Sequence, residues 1–523
     1  MEGAEIQVLQ ERSEHWASMF EPPQEYRDTL EWSLNRIEEN QTNGTKPSQT
    51  AKFYSFIVKE TNKPWLLRYG YINIRGSVGK LAANGTWTYF AQNTAALVNL
   101  GQFALFERAT LYFNKQKVEE NMNPRLVALV NALTRFSKSY SDTTATNYFY
   151  YRDTGAGGTD LKKQYILGST YRVTALSGGI TGGIPADHHV VTMGTSANAV
   201  PTYPVNLTTN ALYANTSMYA TDNPNYNDGF AKRAALCTRA NGGKRVVELN
   251  LPLAWLFGFI DAMRFPSIGS EVKIELLRNT NSAEYLHLVT NDDTAQFEYD
   301  EIVLWLPYVN PSREVQSEIV QRIQANVPTS LKFYKYNYYY ETAQGASVGV
   351  GSKKVWKTVI TQKEPMTRLY FGTFLDSRVY SRTVNTQQFD HNNIINIKIT
   401  LGNTTLPYVP IETSFDPENP KYSREYYTLI NGVDKLLDEG VGVQFTSTEF
   451  ANLYPLFMVD LRNEDLAIRG GKDSLVVTVE YQRSANAADV YTHFILTESE
   501  KEYKFESSVV DDIVRMTPIV PDV

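Results

Sequence analysis

Histidine side chains are the first residues of this chain whose spacing could support metal binding. No two of them are four residues apart, the spacing that places two imidazoles on one helical face for zinc. His188 and His189 follow Asp187, and we interpret this cluster as part of a solvated loop. The sequence therefore predicts no metal-ligating residues among its six histidines, His15, His188, His189, His287, His391 and His493.

Glu298 and Asp300 are the carboxylates whose spacing could support glycosidase chemistry. In a strand, residues two apart lie on one face, and a glycosidase needs two facing carboxylates, one of them with a raised pKa. Two neighbouring carboxylates on one strand more often simply lie on the solvated face of that strand. No serine stands in the G-x-S-x-G arrangement of a nucleophile elbow. We predict no catalytic residues. A carbohydrate-binding or carbohydrate-cleaving β-sandwich protein is kept as the alternative to a protein without enzymatic activity.

Two glycine-rich stretches resemble phosphate loops only in part. In GSVGK, Gly76 to Lys80, position 74 is Ile rather than Gly and position 81 is Leu rather than Ser or Thr. GASVGVGSKK, Gly345 to Lys354, has no G-x-x-x-x-G-K match and is typical of a hairpin between strands. The sequence therefore predicts no cofactor-binding residues and no cofactor.

The run FYKYNYYYE interleaves aromatic residues with Lys335, and Lys332 precedes it. Stacking platforms for single-stranded nucleic acid combine aromatic and basic residues in this way. The same alternation is also typical of a strand with two different faces. A net charge of -7 and a pI near 5.6 argue against a surface that neutralises phosphates. We predict no direct sequence-specific binding of nucleic acid.

Length and composition indicate how these side chains would be positioned. A chain of 523 residues is too long for one ordinary core, so two domains are expected. The 34 tyrosines and 24 phenylalanines favour half-buried pleated sheets, and the mean hydropathy of -0.35 is typical of a globular protein. Cys237 is the single cysteine, so burial rather than disulfides must stabilise the fold. These features predict an all-β protein.

The most apolar stretch is LPLAWLFGFIDAM, which lies between two alternating, strand-like segments. It has about 13 residues, whereas a membrane-spanning helix needs roughly 20. We predict a buried bend that closes the end of the first sandwich, with these residues in its core: Trp255, Leu256, Phe257, Phe259 and Ile260.

The order of strand-like and helical segments predicts two tandem eight-stranded β-sandwiches with a few short helices and long surface loops. Asn123 before Pro124 indicates the start of a helix between strands of the first sandwich. The predicted boundaries are an N-terminal arm over 1–50, a first sandwich over 51–310 with a long loop insertion at about 139–229, a linker helix over 311–327, a second sandwich over 328–510 and a C-terminal tail over 511–523.

Several ordered segments together carry a resemblance to a known family. VNLGQFALFERATLYFNKQKVEEN, NDGFAKR and VVELNLPLAWLFGFIDAMRFPSIGSEVKIELLRN come in this order in the first half. SREVQSEIVQRIQANVPTSLKFYKYNYYYE and SREYYTLINGVDKLLDEGVGVQFTSTEF follow in the second. The chain resembles double jelly-roll major capsid proteins of the Polinton, adintovirus and virophage type over roughly residues 51 to 510. It departs from the family at Lys115, where a glycine is usual. It departs again in the loop NTQQFDHNNI, where the family usually has Asn-Pro-Phe and this chain keeps only the phenylalanine, Phe389.

The resemblance implies a structural protein, not an enzyme. It implies two jelly rolls per chain and a homotrimer that forms a pseudo-hexameric capsomer. Such capsomers would tile an icosahedral capsid around a double-stranded DNA genome, in the virus lineage that includes adenovirus-like capsids. The implied partners are neighbouring capsomers, penton and other minor capsid proteins. The implied location is the virion, after assembly inside the host cell, and the sequence makes no prediction about a membrane.

Overall fold

The structure is a computed structural model of the 523-residue chain. It describes residues 31–38, 47, 51–59, 64–155, 163–167, 188–191, 218–222, 226–264, 266–267, 270–310, 329–342, 353–360, 364–376, 381–401, 403–435, 443–464, 475–483, 491–510 and 513–519. The predicted linker helix over 311–327 lies outside the described residues.

The first β-sandwich consists of two antiparallel sheets. One sheet has the order β1-β14-β3-β11, where β1 is Glu31–Glu38, β3 is Tyr71–Leu81, β11 is Val247–Pro252 and β14 is Ala295–Asn310. A short strand, β4 (Trp87–Tyr89), also pairs with β3. The other sheet has the order β2-β12-β6-β7, with β2 Phe53–Val58, β6 Phe106–Phe113, β7 Gln116–Asn121 and β12 Val272–Arg278.

The second β-sandwich repeats this arrangement. One sheet has the order β15-β22-β17-β20, where β15 is Thr329–Thr342, β17 is Met366–Leu375, β20 is Phe457–Asp460 and β22 is Tyr491–Val510. The other has the order β16-β21-β18-β19, with β16 Lys353–Ile360, β18 Ile394–Leu401, β19 Thr404–Glu412 and β21 Leu475–Arg483. In both sandwiches the first, eighth, third and sixth of these strands form one sheet, and the second, seventh, fourth and fifth form the other. This strand order is that of a jelly roll, so the predicted fold class is confirmed.

The ends of the chain differ from the predicted boundaries. Strand β1 pairs with β14 from Glu31 opposite Asn310 to Glu38 opposite Val303, so the first jelly roll begins before residue 51. At the other end, β23 (Ile513–Ile519) pairs with the last part of β22. Pairing supplies partners for the backbone groups of a sheet edge. Both segments were therefore wrongly assigned in full to an arm and a tail.

The segment predicted as a long loop contains regular structure. It includes a small sheet of order β10-β8-β9, in which β8 is Lys163–Leu167, β9 is His188–Val191 and β10 is Met218–Asp222. A two-stranded sheet, β5 (Ala95–Leu97) with β13 (Leu286–Leu288), lies elsewhere in the first half.

Short helices lie between the strands of both jelly rolls. Those of the first jelly roll are α1 (Gly101–Ala104), α2 (Pro124–Arg135), α3 (Lys138–Asp142), α4 (Asp228–Cys237), α5 (Leu253–Leu256), α6 (Gly258–Ala262) and α7 (Ser282–Tyr285). Those of the second are α8 (Ser423–Gly432) and α9 (Ser447–Asn452). Among the described residues, η1 (Leu67–Tyr69) and η2 (Thr144–Tyr148) are 3-10 helices. No helix among the described residues is long and apolar enough to cross a membrane.

Helix α2 begins as the sequence predicted. The side chain of Asn123 accepts a hydrogen bond from the backbone N–H of Leu126 at 3.0 Å, and Pro124 occupies the first helical position. Proline fits there because its missing N–H would have no partner within the helix.

The alternation of side chains explains why the strands form sandwiches. In β12, Val272, Ile274 and Leu276 are fully buried, whereas Lys273 and Glu275 are only partly buried. Successive side chains of a strand point to opposite faces, so one face of β12 contributes to the core between the sheets.

Candidate functional site

The glycine-rich stretches do not form a phosphate loop in the described residues. Gly76 to Lys80 lie within strand β3, and Gly76 and Lys80 pair with residues of β14. A β-carbon on Gly76 would overlap the carbonyl oxygen of Glu298, so this glycine allows two strands to approach. Of the second stretch, Gly345 to Gly351 and Ser352 lie outside the described residues.

Lys244 forms ion pairs with both Glu298 and Asp300, the two carboxylates considered for glycosidase chemistry. Its Nζ lies 2.8 Å from Glu298 and 2.7 Å from Asp300, and Tyr89 donates a hydrogen bond to Glu298 at 2.8 Å. One ammonium lies between both carboxylates, and Glu298 is only 7% exposed, so the pair forms a largely buried ion-pair cluster rather than the solvated strand face that the sequence suggested.

The histidines that the structure describes lie in different parts of the fold, and His15 lies outside the described residues. His287 and His493 are fully buried, and burial lowers the pKa of His287 to about 4. His391 accepts a hydrogen bond from the backbone of Asn393, while His188 and His189 lie in β9. Among the residues that the structure describes, no group of three His, Cys, Asp or Glu could hold a metal ion.

The tyrosine-rich run forms strand β15, which pairs along its length with β22. Tyr336 and Tyr338 pack against a hydrophobic cluster that includes helix α2 of the first jelly roll, and Tyr340 is exposed. The aromatic and basic alternation therefore belongs to a strand with two faces, and part of one face contacts the other jelly roll.

A buried seam joins the two jelly rolls within the described chain. Helix α2 contributes Leu126, Val127, Leu129, Val130 and Leu133 to one hydrophobic cluster. The second jelly roll contributes the outer face of sheet β15-β22-β17-β20, helix α8 and the segments before β18 and β20, with the buried residues Tyr370, Phe374, Phe389, Leu429, Phe445, Phe450, Leu453, Tyr454, Leu456, Met458, Phe494 and Leu496. Burial of large apolar side chains stabilises such contacts by roughly 1.5 to 3 kcal/mol each.

A buried ion-pair network crosses the same seam. Glu498 is 1% exposed and lies 2.6 Å from Arg368 Nη1. The hydroxyl of Tyr336 donates to Glu498 at 2.7 Å and accepts from Arg135 of helix α2 at 2.8 Å. A buried charge needs partners of this kind because it has lost its hydration. The network therefore ties the register of α2 to the second jelly roll.

Glu119 of β7 fixes the apolar bend within the first jelly roll, next to the second. Its two carboxylate oxygens accept hydrogen bonds from the backbone N–H groups of Gly258 and Phe259 at 3.0 and 2.8 Å. Burial raises the pKa of Glu119 to about 7, although both N–H groups, Lys335 and Lys501 oppose this shift. A cavity of about 370 Å³ adjoins this carboxylate, between α2, α6 and β15.

The apolar bend is formed by α5 and α6, and its role differs in part from the prediction. Leu256, Phe257, Phe259 and Ile260 are buried as expected. Phe259, however, packs against Phe333 and Tyr503 of the second jelly roll as well as against Phe113. The bend therefore closes the seam in addition to the end of the first sandwich.

Trp255 is only partly buried, contrary to the prediction that it lies in the core. It contacts an aromatic group on the first jelly roll, with ring centroids 5.0 Å from Phe136 and 4.6 Å from Tyr148. The partner rings come from the segment after α2, so their positions could not be derived from the apolar run itself.

Further polar contacts join α2 and the segment after it to the second jelly roll. Gln444 donates to the carbonyl oxygen of Ala132 at 2.7 Å, and Arg152 donates to Gln444 and Glu449 at 2.8 and 2.9 Å. Sequence reasoning missed every polar residue of the seam, because these residues have no shared motif and come together only through the fold.

Two jelly rolls of matching strand order, joined by a buried seam, define a double jelly-roll protein. The chain is similar in structure to a chain of the Sputnik virophage solved by cryo-electron microscopy, with a TM-score of 0.51, 11% identity and coverage of 94% of this chain and 89% of that one. It is also similar to the capsid model of the virus PBCV-1, with a TM-score of 0.49, 9% identity and coverage of 93% and 96%. For the Faustovirus major capsid protein the TM-score is 0.47, the identity 10% and the coverage 90% of both chains.

At this level of identity, the similarity to the Sputnik chain shows a shared fold. No protein-family model matches the sequence. No curated protein matches it either.

Proposed function

We propose that this chain is a major capsid protein, a structural protein that trimerises into pseudo-hexameric capsomers. The observation that carries the proposal is the buried seam, which joins two jelly rolls of matching strand order side by side. Three such chains would present six jelly rolls in a closed ring, and closed cyclic symmetry is the usual form of a homo-oligomer. Capsomers of this shape can tile an icosahedral shell around a double-stranded DNA genome, in the virion.

Neighbouring capsomers, penton and minor capsid proteins are the partners in this proposal. The residues before β1 would act as an arm that contacts them, because chain ends become ordered where a partner ties them down. The alternative of a carbohydrate-cleaving sandwich is not favoured, since Lys244 bridges the two carboxylates on which it depended.

The experiment that tests the proposal is a measurement of the mass of the purified full chain by light scattering, with negative-stain images of the same peak. We expect a compact particle of about three times 59.3 kDa with a hexagonal outline. A chain that stays monomeric at its highest soluble concentration, alone and with its virion components, would overturn the trimer.

A further inference from the structure

A cavity of about 370 Å³ lies where the two jelly rolls meet, and we call it the seam cavity. Strand β7 and helices α2, α5 and α6 line it from the first jelly roll, and strand β15 lines it from the second. Cavities of this volume at contacts between domains are typical binding sites for small molecules. Because each jelly roll supplies part of the wall, a ligand held there would contact both of them.

Aromatic side chains supply much of the apolar part of this wall. Trp255 is only partly buried, although its ring centroid lies 5.0 Å from that of Phe136. Tyr334 of β15 lines the same cavity and is 44% exposed. Partly exposed rings can pack against a flat apolar group, and this contact removes apolar surface from water on both sides. The wall therefore favours a ligand with a flat apolar body.

Positive charge is concentrated on the wall of the seam cavity, although the chain as a whole has a net charge of -7. Arg264 follows helix α6, is exposed and forms no ion pair with any residue that the structure describes. Lys332 of β15 lies 3.6 Å from Glu500, which is longer than a charged hydrogen bond. Both cations can therefore pair with a ligand without losing a hydrogen-bonded partner. The cationic residues of the wall are Arg68, Arg135, Arg264 and Lys332.

The acidic residues of the wall already have partners. Asp261 lies 3.3 Å from Arg68. Glu119 accepts hydrogen bonds from the backbone N–H groups of Gly258 and Phe259, and burial raises its pKa to about 7, so it is only partly charged at neutral pH. The cationic side chains therefore outweigh the acidic ones in the seam cavity. This balance is complementary to a ligand that carries an anionic group.

We propose that the seam cavity binds a small organic anion, with its flat apolar body against Trp255 and Tyr334 and its anionic group at Arg264 and Lys332. Trp255 and Arg264 belong to the first jelly roll, whereas Tyr334 and Lys332 belong to the second. The ligand would stabilise the docked arrangement of the two jelly rolls, because a molecule that binds only the folded state raises its stability. The site lies within one chain, so this inference goes beyond the proposed capsid function and does not depend on the trimer.

Isothermal titration calorimetry of the purified full chain tests the site with matched probes. Naphthalenesulfonate carries a flat ring and an anionic group, naphthol carries the ring without the charge, and inorganic sulfate carries the charge without the ring. We expect naphthalenesulfonate to bind one site per chain with a Kd below about 1 mM, and each simpler probe to bind at least about tenfold more weakly. Absence of naphthalenesulfonate binding, or equal affinity for a simpler probe, would overturn the proposal.

Neutral variants of the two cations locate the probe in the cavity. Arg264→Gln and Lys332→Gln should each raise the Kd for naphthalenesulfonate by about tenfold, because each removes a charged partner of the anion. Arg239→Gln and Lys398→Gln are the matched controls, since both residues are exposed and lie outside the cavity. They should keep the wild-type Kd, and circular dichroism checks that every variant is folded. A wild-type Kd in either cavity variant would overturn the assigned site.

Urea denaturation of the unmodified chain gives a readout that needs no substitution. Naphthalenesulfonate at about ten times its Kd should raise the midpoint of unfolding, and naphthol at the same concentration should raise it less. Binding without a rise in the midpoint would overturn the stabilising role of the ligand. A chain that stays monomeric and still binds the probe would overturn the trimer and leave the seam cavity as a ligand site, so the two proposals fail separately.

Discussion

Gly258 of helix α6 lies against the backbone carbonyl of Tyr334 in strand β15, and this is the closest approach that the structure shows between the two jelly rolls at a glycine. A β-carbon placed on Gly258 would overlap that oxygen. Glycine is needed where two backbones approach each other in this way. The glycine therefore allows the apolar bend to pack closely against strand β15 of the second jelly roll.

Gly258→Ala should destabilise the protein by about 1 to 3 kcal/mol, because neither backbone can move without disturbing the seam. Chemical denaturation of the full chain measures this change. Gly243→Ala is the matched control, since a β-carbon there meets nothing closer than Arg239 Cδ at 3.9 Å. Equal stability of the two variants would contradict the close approach.

Glu119→Gln should change the pH dependence of stability. The pKa of Glu119 is raised in the folded state to about 7, so the folded chain binds this proton more tightly than the unfolded chain does. The stability that this proton contributes is fully present below the unfolded pKa of 4.5 and is lost as pH rises through about 7. The free energy of unfolding of wild type relative to the variant should therefore fall by about 2 to 3 kcal/mol between about pH 5 and about pH 8.

Urea denaturation of both proteins at several pH values measures this difference. The comparison cancels the titration of the other groups in the chain. These include Lys335 and Lys501 of the second jelly roll, whose charges lower the pKa of Glu119. Two stability curves that stay parallel across this range would show that Glu119 is already ionised without cost.

Phe259→Ala should cost more stability than Trp255→Ala. Phe259 is fully buried between Phe113, Phe333 and Tyr503, so its removal leaves a cavity in the seam and should cost about 3 to 5 kcal/mol. Trp255 is partly buried, and about 2 kcal/mol is expected there. Thermal unfolding of both variants checks the order, and a larger effect at Trp255 would restore the sequence-based expectation.

Lys115→Gly should stabilise the hairpin between β6 and β7. Asn114 and Lys115 have φ values of 48° and 68°, the left-handed region that favours glycine. A β-carbon in this region costs about 1 kcal/mol, partly offset by the greater freedom of glycine in the unfolded chain. A gain of a few tenths of a kcal/mol in denaturant unfolding is the expected result, and a loss would show that the side chain of Lys115 contributes more than its strain.

Local pattern was a good guide to the elements of the fold. Alternation in β12, the turn-rich spacing of the strands, and Asn123 before Pro124 predicted strands, sandwiches and a helix that the structure confirms. These features depend on neighbours within a few residues, so the sequence itself contains the information. The pairing of β1 with β14 was missed because its partners are far apart in the chain.

The sequence by itself determined that this is an all-β chain of two sandwiches, since residue alternation and turn chemistry are local properties. Only the tertiary structure decided which faces of those sandwiches meet. Strands β15 and β17 have apolar side chains on both faces, so their pattern does not show which face lies in the core and which lies in the seam. Glu498 contacts Arg135 and Arg368, which come from distant parts of the chain. Burial of a charge such as Glu119 or Glu498 is paid for by partners that arrive from other strands, and no local pattern specifies those partners.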